Sequence, residues 1–508
     1  MKLSDMSHRA DVKELHIAPM IDVSTPEFHH LFRILSKRVI LWTAMHVDET
    51  LVFTDCVDQH LELATPELHP IICQIGGRTP EYAIKASQMI QDRYGYDEIN
   101  LNIDCPSNRV SGKRCFGAIL MADPHKDTAY AMVEAMAKGV KSTEVSDKVG
   151  DVDEDHKLGE TTDTTNPHAK SIAISVKTRV GCETPDGICL DTIEHLISFV
   201  RNLRQHGCHR FYIHARKCVI GGLSPIQNRI VPPLNYPRVY EVCHEFPDCE
   251  FVLNGGIAGL QAAKEVCQGI SQAEYDEQQN STMYHSTNGS CTTPPIGNAP
   301  SNLVGCMLGR ACMEHPAMFH DVDRFWYGEP SNPCQNRRQV LEQYMVYLEK
   351  AYPRRCSDDQ DNLVTSRILL SSQPFPFRTT KHCPICHSGC AANNKSENSE
   401  QLPLQLMDQR IEQPTKIITR VMDRSFKPIL GMFFGLPKSK FYRKELERLS
   451  RDTKLRNCGP SYVLKCVLES LPDELLDQHF VLTEDMTNIP VHHAPDQSKN
   501  AAKRKRSK

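Results

Sequence analysis

The stretch of sequence that decides the fold reads Asn100-Leu101-Asn102-Ile103-Asp104-Cys105-Pro106-Ser107. Polar and apolar side chains alternate over residues 98–103, which is typical of a β-strand. The strand leads into a cysteine followed by proline, and then into a loop with two arginines and two glycines. Because α/β-barrel enzymes place their chemistry at the carboxyl ends of strands, this position distinguishes Cys105 among the 21 cysteines of the chain.

Strand-like runs recur through the first two thirds of the chain, and helical patterns such as 80–94 and 191–206 follow most of them. The eight runs are 16–20, 39–44, 71–75, 98–103, 172–179, 210–215, 250–254 and 303–309. This repetition predicts an α/β fold, a (β/α)8 TIM barrel over residues 15–329. A doubly wound open sheet is the alternative, but eight evenly spaced strands favour closure into a barrel.

Three polar segments interrupt the pattern at about 138–170, 271–301 and 356–405, and we interpret them as insertions. Residues 330–480 are predicted to form an all-helical domain, with helices over 336–351 and 413–455 and a break at 435–437. Residues 481–508 form a predicted flexible basic tail.

Charge is unevenly distributed although the net charge is only −4. Residues 415–456 contain twelve Lys/Arg and four Asp/Glu. Within 439–454, Tyr442, Leu446 and Leu449 make an apolar stripe, and basic residues occupy another face at helical spacing. A solvated surface is the ordinary interpretation of such a face, and binding of a polyanion is the functional one.

Composition excludes several classes of protein. No run approaches the roughly 20 apolar residues that a membrane-spanning helix needs, so no membrane association is expected. The cysteines lack the spacing of a disulfide framework, which indicates reduced thiols inside the cell. We expect a cytoplasmic monomer, and the basic run Lys503-Arg504-Lys505-Arg506 leaves a nuclear location open.

Polar or glycine-rich residues follow most of the predicted strands. They are Ala18-Pro19-Met20, Gln74-Ile75-Gly76-Gly77, Lys177 and Arg179, His214 and Arg216, Asn254-Gly255-Gly256, and Gly309-Arg310. Glycines after the last two strands let backbone N–H groups approach a phosphate, and Arg310 could complete its charge pairing. Lys177 would place a cation against the electron-rich edge of a flavin.

In this order, the motifs resemble those of the tRNA-dihydrouridine synthases, and specifically of their A-type branch. The resemblance covers most of residues 15–329 outside the insertions and returns at 417–449. It is also carried by Phe116-Gly117-Ala118, Gly222-Leu223-Ser224-Pro225 and Phe434-Gly435-Leu436-Pro437.

The resemblance implies tightly bound FMN, NADPH as reductant, and a helical domain that binds tRNA. Hydride would pass to C6 of a D-loop uridine at positions 20 and 20a, and Cys105 would be the catalytic acid that protonates C5. The matching cofactor-binding positions are Pro19, Met20, Gln74, Lys177, His214, Asn254, Gly255, Gly256, Gly309 and Arg310. The matching tRNA-contact positions are Asn102, Asn228, Arg229, Lys440 and Arg443.

This chemistry constrains the thiol and the substrate. A thiol with its ordinary pKa of about 8.5 is mostly protonated near neutral pH and can serve as an acid. The uridine must leave its stack to reach a barrel mouth. One position departs from the family, which usually has glycine before the cysteine where this chain has Asp104. A positive φ would be costly there, whereas a carboxylate would favour the protonated thiol. We favour a tolerated variant over an impaired enzyme.

Other functions have weaker support in the sequence. The segment His382-Cys383-Pro384-Ile385-Cys386-His387 with Cys390 is half of a zinc motif without a second pair at finger spacing, so we predict no metal site. The dinucleotide fingerprint Gly-x-Gly-x-x-Gly is absent. Two alternatives stay open: an FMN barrel that reduces a small molecule, and a non-catalytic tRNA-binding protein on the same scaffold.

Overall fold

The computed structural model describes residues 12–140, 172–270, 297–353 and 414–481. Eight parallel strands pair in chain order to form the predicted barrel. They are β1 Glu14–Ile17, β2 Leu41–Trp42, β3 Ile71–Gly76, β4 Glu98–Asn102, β5 Ala173–Arg179, β6 Arg210–His214, β7 Glu250–Asn254 and β8 Leu303–Leu308. The first and last strands pair with each other, and Ile40, next to β2, closes the ring because its N–H donates to Leu15 O at 2.9 Å.

Helices follow the strands, as the (β/α)8 pattern predicts. They are α1 Pro26–Leu35, α2 Asp48–Phe53, α3 Pro80–Arg93, α4 Lys126–Gly139, α5 Ile193–Gln205, α6 Tyr236–Glu245, α7 Leu260–Gln268 and α8 Arg310–Glu314. Side chains cap the first turns of several of these helices. At the start of α5, Thr192 is the N-cap residue, and its Oγ1 accepts the His195 N–H at 3.2 Å. The helices predicted at 80–94 and 191–206 are confirmed within two residues.

The alternation of polar and apolar residues in β4 corresponds to the two sides of the barrel wall. All five residues of the strand are buried, the apolar ones as well as the polar ones. Tyr212 of β6 donates to Glu98 at 3.2 Å and packs edge-on against Trp42 of β2 at 4.6 Å between ring centroids. Contacts between such distant strands place these side chains in the barrel interior. The polar residues of β4 therefore line the interior, and Ile99 and Leu101 face the surrounding layer.

The C-terminal region is helical, as predicted. Its helices are α9 Arg337–Ala351, α10 Pro414–Phe426, α11 Ser439–Arg451, α12 Thr453–Asn457, α13 Pro460–Glu469 and α14 Asp473–Asp477. The predicted stripe is buried: Tyr442, Leu446 and Leu449 of α11 are all at most 5% exposed. The region packs on the barrel through α9 and α1, and Arg424 lies 3.3 Å from the buried carboxylate of Glu27.

The remaining sequence predictions fall largely outside the described residues. These include most of the three insertions, the basic tail and the Cys383–Cys386 cluster. The strand Gly269–Ile270 pairs antiparallel with Gly297–Asn298 and so brackets the second insertion. Among the described helices, none combines the length and the apolar character that crossing a membrane requires.

Candidate active site

The carboxyl ends of the eight strands bring most of the predicted cofactor residues to one end of the barrel. Gln74, Lys177, His214 and Asn254 are buried there, between 1% and 8% exposed. Pro19, Met20 and Gly309 are half-buried, Gly255 is buried, and Gly256 and Arg310 are exposed. The set therefore runs from the barrel interior to its rim.

Cys105 stands just beyond β4, in a loop with defined support. Its N–H donates to Asn102 Oδ1 at 3.1 Å, so the last residue of the strand holds the cysteine backbone. On the other side, Ser111 Oγ donates to Cys105 O at 2.6 Å and the Ala118 N–H donates to it at 3.1 Å. The side chain is half-buried. The thiol is thus held at the barrel mouth with limited access to solvent.

A chain of buried hydrogen bonds connects this loop to the barrel interior. Asn102 Nδ2 donates to Gln74 Oε1 at 2.9 Å, and Gln74 Nε2 donates to Asn100 Oδ1 at 2.9 Å. Asn100 Nδ2 then donates to Ser175 Oγ at 2.7 Å, and Ser175 donates to Glu98. Sequence reasoning missed Asn100 and Ser175, although the polar positions of β4 were the available signal. The flavin contact of Gln74 and the tRNA contact of Asn102 remain predictions.

Asp104 is the centre of a buried ion cluster. Its carboxylate lies 2.5 Å from Lys177 Nζ, 2.8 Å from Arg179 Nε and 3.4 Å from His214 Nδ1. Arg179 Nε also lies 3.0 Å from the backbone oxygen of Asp104. Among the described non-glycine residues, positive φ occurs at Asp22, Cys115 and Lys438 but not at Asp104. The backbone strain considered from the sequence is therefore absent.

Burial and charge set the ionisation of this cluster. Burial would raise the pKa of Asp104, but Lys177 and Arg179 lower it well below its usual range. Burial lowers the pKa of Lys177, and Asp104 opposes that shift. Burial together with Arg179 lowers the pKa of His214 to about 3, so its imidazole is neutral near neutral pH.

The environment of Cys105 favours the protonated form of its thiol. Burial raises its pKa above the ordinary value, and the neighbouring Asp104 carboxylate raises it further. A group with a raised pKa keeps its proton at neutral pH, which suits an acid and does not suit a nucleophile.

A cradle for an anion lies beside the cluster. Gly255 and Gly256 have φ values of +120° and +70°. A Cβ atom on Gly255 would come within 2.7 Å of His214, and one on Gly256 within 2.4 Å of Leu234. The Nε atoms of Arg216 and Arg229 are buried without a hydrogen-bond partner in the described part of the chain. Close backbone approach and unmet guanidinium donors fit a phosphate.

The predicted tRNA-contact residues separate into two groups. Asn228 is fully buried and holds its own loop: its Oδ1 accepts the Val219 N–H at 2.7 Å and its Nδ2 donates to Leu223 O at 3.0 Å. Arg229 is half-buried beside it. Lys440 and Arg443 are exposed on α11, outside the barrel. The site residues of the barrel are therefore brought together, whereas Lys440 and Arg443 lie on a separate surface.

Comparison with known proteins agrees with the resemblance. The profile of the family described as dihydrouridine synthase (Dus) matches residues 16–166 and 164–273. A Synechocystis protein named tRNA-dihydrouridine(20/20a) synthase is 31% identical over 367 residues, which is 72% of this chain and 86% of the relative. The Escherichia coli protein of the same name is 30% identical and covers 68% of this chain and 80% of its own length.

The chain belongs to the dihydrouridine synthase family. It is therefore an enzyme, an oxidoreductase of a family that is generally flavin-dependent. A solved structure, described as a variant of NCR from Zymomonas mobilis, is 12% identical with a TM-score of 0.33 and covers 65% of this chain and 90% of its own.

The residues present fit a flavin, on which this family generally depends. A flavin nucleotide presents a ring system and a phosphate, and the barrel mouth offers buried polar groups next to the glycine cradle. The unpartnered Nε atoms of Arg216 and Arg229 add unmet donors on the same side. Arg216 was noted in the sequence without a role, and its place beside the cradle could be found only from the fold.

Proposed function

We propose that this chain is an FMN-dependent tRNA-dihydrouridine synthase that reduces D-loop uridines at positions 20 and 20a with NADPH as electron donor. The observation that carries the proposal is the half-buried Cys105, which Asn102 holds at the mouth of the barrel beside the buried Lys177 and Arg179. The names of the Synechocystis and Vibrio vulnificus relatives, the latter 30% identical over 66% of this chain, support the substrate.

The proposed cofactor set has two parts. Gln74, Lys177, His214 and Asn254 would face the flavin ring, with Pro19 and Met20 at its edge. Gly255, Gly256, Gly309 and Arg310 would hold the phosphate, as in other barrels that bind phosphate after their last two strands. When bound, a reduced flavin would supply the hydride that uracil C6 receives.

Cys105 would supply the proton. Its thiol would protonate C5 of the uracil as C6 becomes saturated, and the resulting thiolate would regain a proton from solvent. Asn102 fixes the cysteine backbone, so the position of the acid is set before the substrate arrives. Burial of the thiol keeps the proton available near neutral pH.

Helix α11 would bind the tRNA backbone while the uridine is flipped out. Its exposed Arg448 and Arg451 are ion-paired with Glu445 and Glu447. Within the described residues, Lys440 has no carboxylate within ion-pair distance and is available to a phosphate. We further propose that residues 15–329 are the catalytic domain and 330–480 the tRNA-binding domain of a monomer. The bacterial relatives support a cytoplasmic site of action.

The test uses the full-length protein with NADPH and tRNA from cells that lack dihydrouridine. We expect FMN in the purified protein, and dihydrouridine at positions 20 and 20a when products are mapped at single-nucleotide resolution. Turnover of a small enone or a free pyrimidine without reaction on tRNA would favour the small-molecule reductase. A colourless protein that still binds tRNA would favour the non-catalytic alternative.

The role of α11 has its own prediction. Lys440→Ala should weaken tRNA binding and reduce the slope of log affinity against log salt by about 1, because one phosphate contact is lost. Arg448→Ala on the same helix is the matched control, since Glu445 already neutralises that guanidinium at 2.9 Å. If log affinity depended equally on log salt in both variants, Lys440 would not contact the tRNA backbone.

A further inference from the structure

Asp104 occupies the position from which one carboxylate reaches three groups of the cofactor site. Lys177 Nζ, Arg179 Nε and His214 Nδ1 lie between 2.5 and 3.4 Å from its oxygens. The pairing follows from the fold, because Asn102 at the end of β4 is in register with Lys177 on β5. Two residues beyond Asn102, the chain necessarily passes the cations at the end of β5.

Further arginines lie around Asp104 in the described part of the chain. Burial lowers the pKa of Arg216 and of Arg229, and the nearby charges of Arg310 and Arg179 lower both further. The Asp104 carboxylate acts in the opposite direction on Arg229. Lys177 and Arg179 are each about 3–4% exposed, so water neutralises them poorly. A glycine at position 104, which the family resemblance leads one to expect, would leave both cations without this carboxylate.

We propose that Asp104 is an internal counter-ion of the cofactor site, which holds Lys177 and Arg179 in place and weakens their attraction for the bound flavin. This inference rests on the proposed function in naming flavin as the ligand. Asp104 is a positioning residue, because it acts through the lysine and the arginine.

Two consequences follow from electrostatics. A flavin becomes more electron-rich on reduction, so a nearby cation stabilises the reduced form more than the oxidised form. A carboxylate that neutralises this cation reduces that preference and makes the bound flavin a stronger reductant. The second consequence concerns Cys105, whose charged neighbours are Asp104, Lys177, Arg179 and Arg229. Without the carboxylate, the charged neighbours of the thiol among the described residues are all cations, and cations favour the thiolate.

The first experiment needs no flavin. Flavin-free wild type and Asp104→Asn are alkylated with iodoacetamide across a pH series, and modification of Cys105 alone is followed by mass spectrometry. Because opposite charge within a few ångströms lowers a pKa by about 1–3 units, we expect the Cys105 profile to move down by about one unit in Asp104→Asn. An unmoved profile would overturn the proposal.

The second experiment measures the cofactor. Asp104→Asn should bind FMN more tightly, and reduced FMN should gain more than oxidised FMN. A tenfold difference between the two gains corresponds to a rise of about 30 mV in the midpoint potential. Unchanged affinity and potential would overturn the effect on flavin. If neither protein binds any flavin, the proposed function fails, while the thiol profile still decides the role of Asp104.

Three variants separate charge from structure. Glu183→Gln removes a carboxylate that lies 3.6 Å from Lys217 at the same end of the barrel, and it should leave both readouts unchanged. Asp104→Glu keeps the charge and should restore most of the wild-type thiol profile. If Asp104→Asn does not fold, Lys177→Met provides the opposite test, because loss of the cation should move the Cys105 profile upward. If the Cys105 profile of Lys177→Met moved downward or did not move, the role of Asp104 as a counter-ion would be contradicted.

Discussion

The two ends of the barrel differ in the ratio of acidic to basic side chains in their buried clusters. At the amino ends of the strands, Arg210 is ion-paired with the carboxylates of Glu14, Glu98 and Glu250. We call this group the closed-end cluster. Glu98 is fully buried, and its carboxylate pairs with Arg210 and accepts a hydrogen bond from Ser175. Charge at this end is satisfied within the protein.

At the carboxyl ends of the strands, one carboxylate faces several basic side chains. Lys177, Arg179 and His214 all face Asp104, and we call these four residues the open-end cluster. Arg216 and Arg229 lie nearby, each with an Nε that has no partner among the described residues. Acids outnumber cations in the closed-end cluster, and cations outnumber acids in the open-end cluster. This difference supports our proposal that the open-end cluster binds an anionic cofactor, whereas the closed-end cluster stabilises the fold.

The largest expected effect compares one arginine from each end. Arg210→Met should reduce the free energy of unfolding by about 3–5 kcal/mol, because it leaves buried carboxylates without their partner. Arg216→Met removes one buried hydrogen bond, to Pro232 O, and should lower that free energy by only about 1 kcal/mol, but it should weaken FMN binding by about 10-fold to 100-fold. Chemical denaturation and flavin titration measure the two quantities.

The control for this pair is Arg201→Met, which breaks an exposed ion pair with Glu245 at 2.7 Å. We expect a change of only about 0–1 kcal/mol there. Equal destabilisation by Arg210→Met and Arg216→Met would contradict the functional difference between the two ends.

An intermediate effect is expected where the hydrogen-bond chain meets Cys105. Asn102→Ala leaves the Cys105 N–H and Gln74 Oε1 without their partners and should cost about 1–3 kcal/mol of stability. Because the acid is then less well positioned, kcat should fall by about 10-fold to 100-fold with a smaller change in KM. Asn202→Ala should change neither quantity by much, because the Asn202 amide donates to Ser198 O of its own helix at an exposed position. A wild-type kcat in Asn102→Ala would show that the chain of hydrogen bonds does not position the Cys105 thiol.

The smallest effect is a pH dependence of the closed-end cluster. Burial, opposed by Arg210, raises the pKa of Glu98 to about 7 in the folded protein. A raised pKa contributes stability that is present below the unfolded value, about 4.3, and lost as the pH rises through 7. Glu98→Gln should flatten the fall in unfolding free energy over this window, as measured by denaturation at several pH values. An unchanged slope would mean that Glu98 is ionised throughout.

The barrel could be predicted because each strand carries a local signal. Seven of the eight strand predictions lie within two residues of the observed bounds, and the first differs most, since β1 is Glu14–Ile17 where 16–20 was predicted. The chain leaves the sheet there at Ala18-Pro19-Met20, and proline lacks the N–H that a ladder needs. Individual strand-end residues could likewise be selected from the sequence.

What the sequence could not supply is the pairing among those residues. Asp104 and Lys177 are separated by 73 positions, and their contact depends on the register of β4 with β5. The same register places Asn100 opposite Ser175, a contact that no local pattern indicates. The structure adds a local role for Asn228, whose side chain is hydrogen-bonded inside its own loop. Its contact with tRNA stays a prediction.

The central claim, that Cys105 is the acid of uridine reduction at the open end, is tested most directly by Cys105→Ala. The measurement is dihydrouridine formed per unit time at tRNA positions 20 and 20a by the FMN-loaded protein with NADPH. The account predicts a loss of about 100-fold to 10,000-fold, with FMN still bound and still reduced by NADPH. Dihydrouridine formation at the wild-type rate in Cys105→Ala would contradict it.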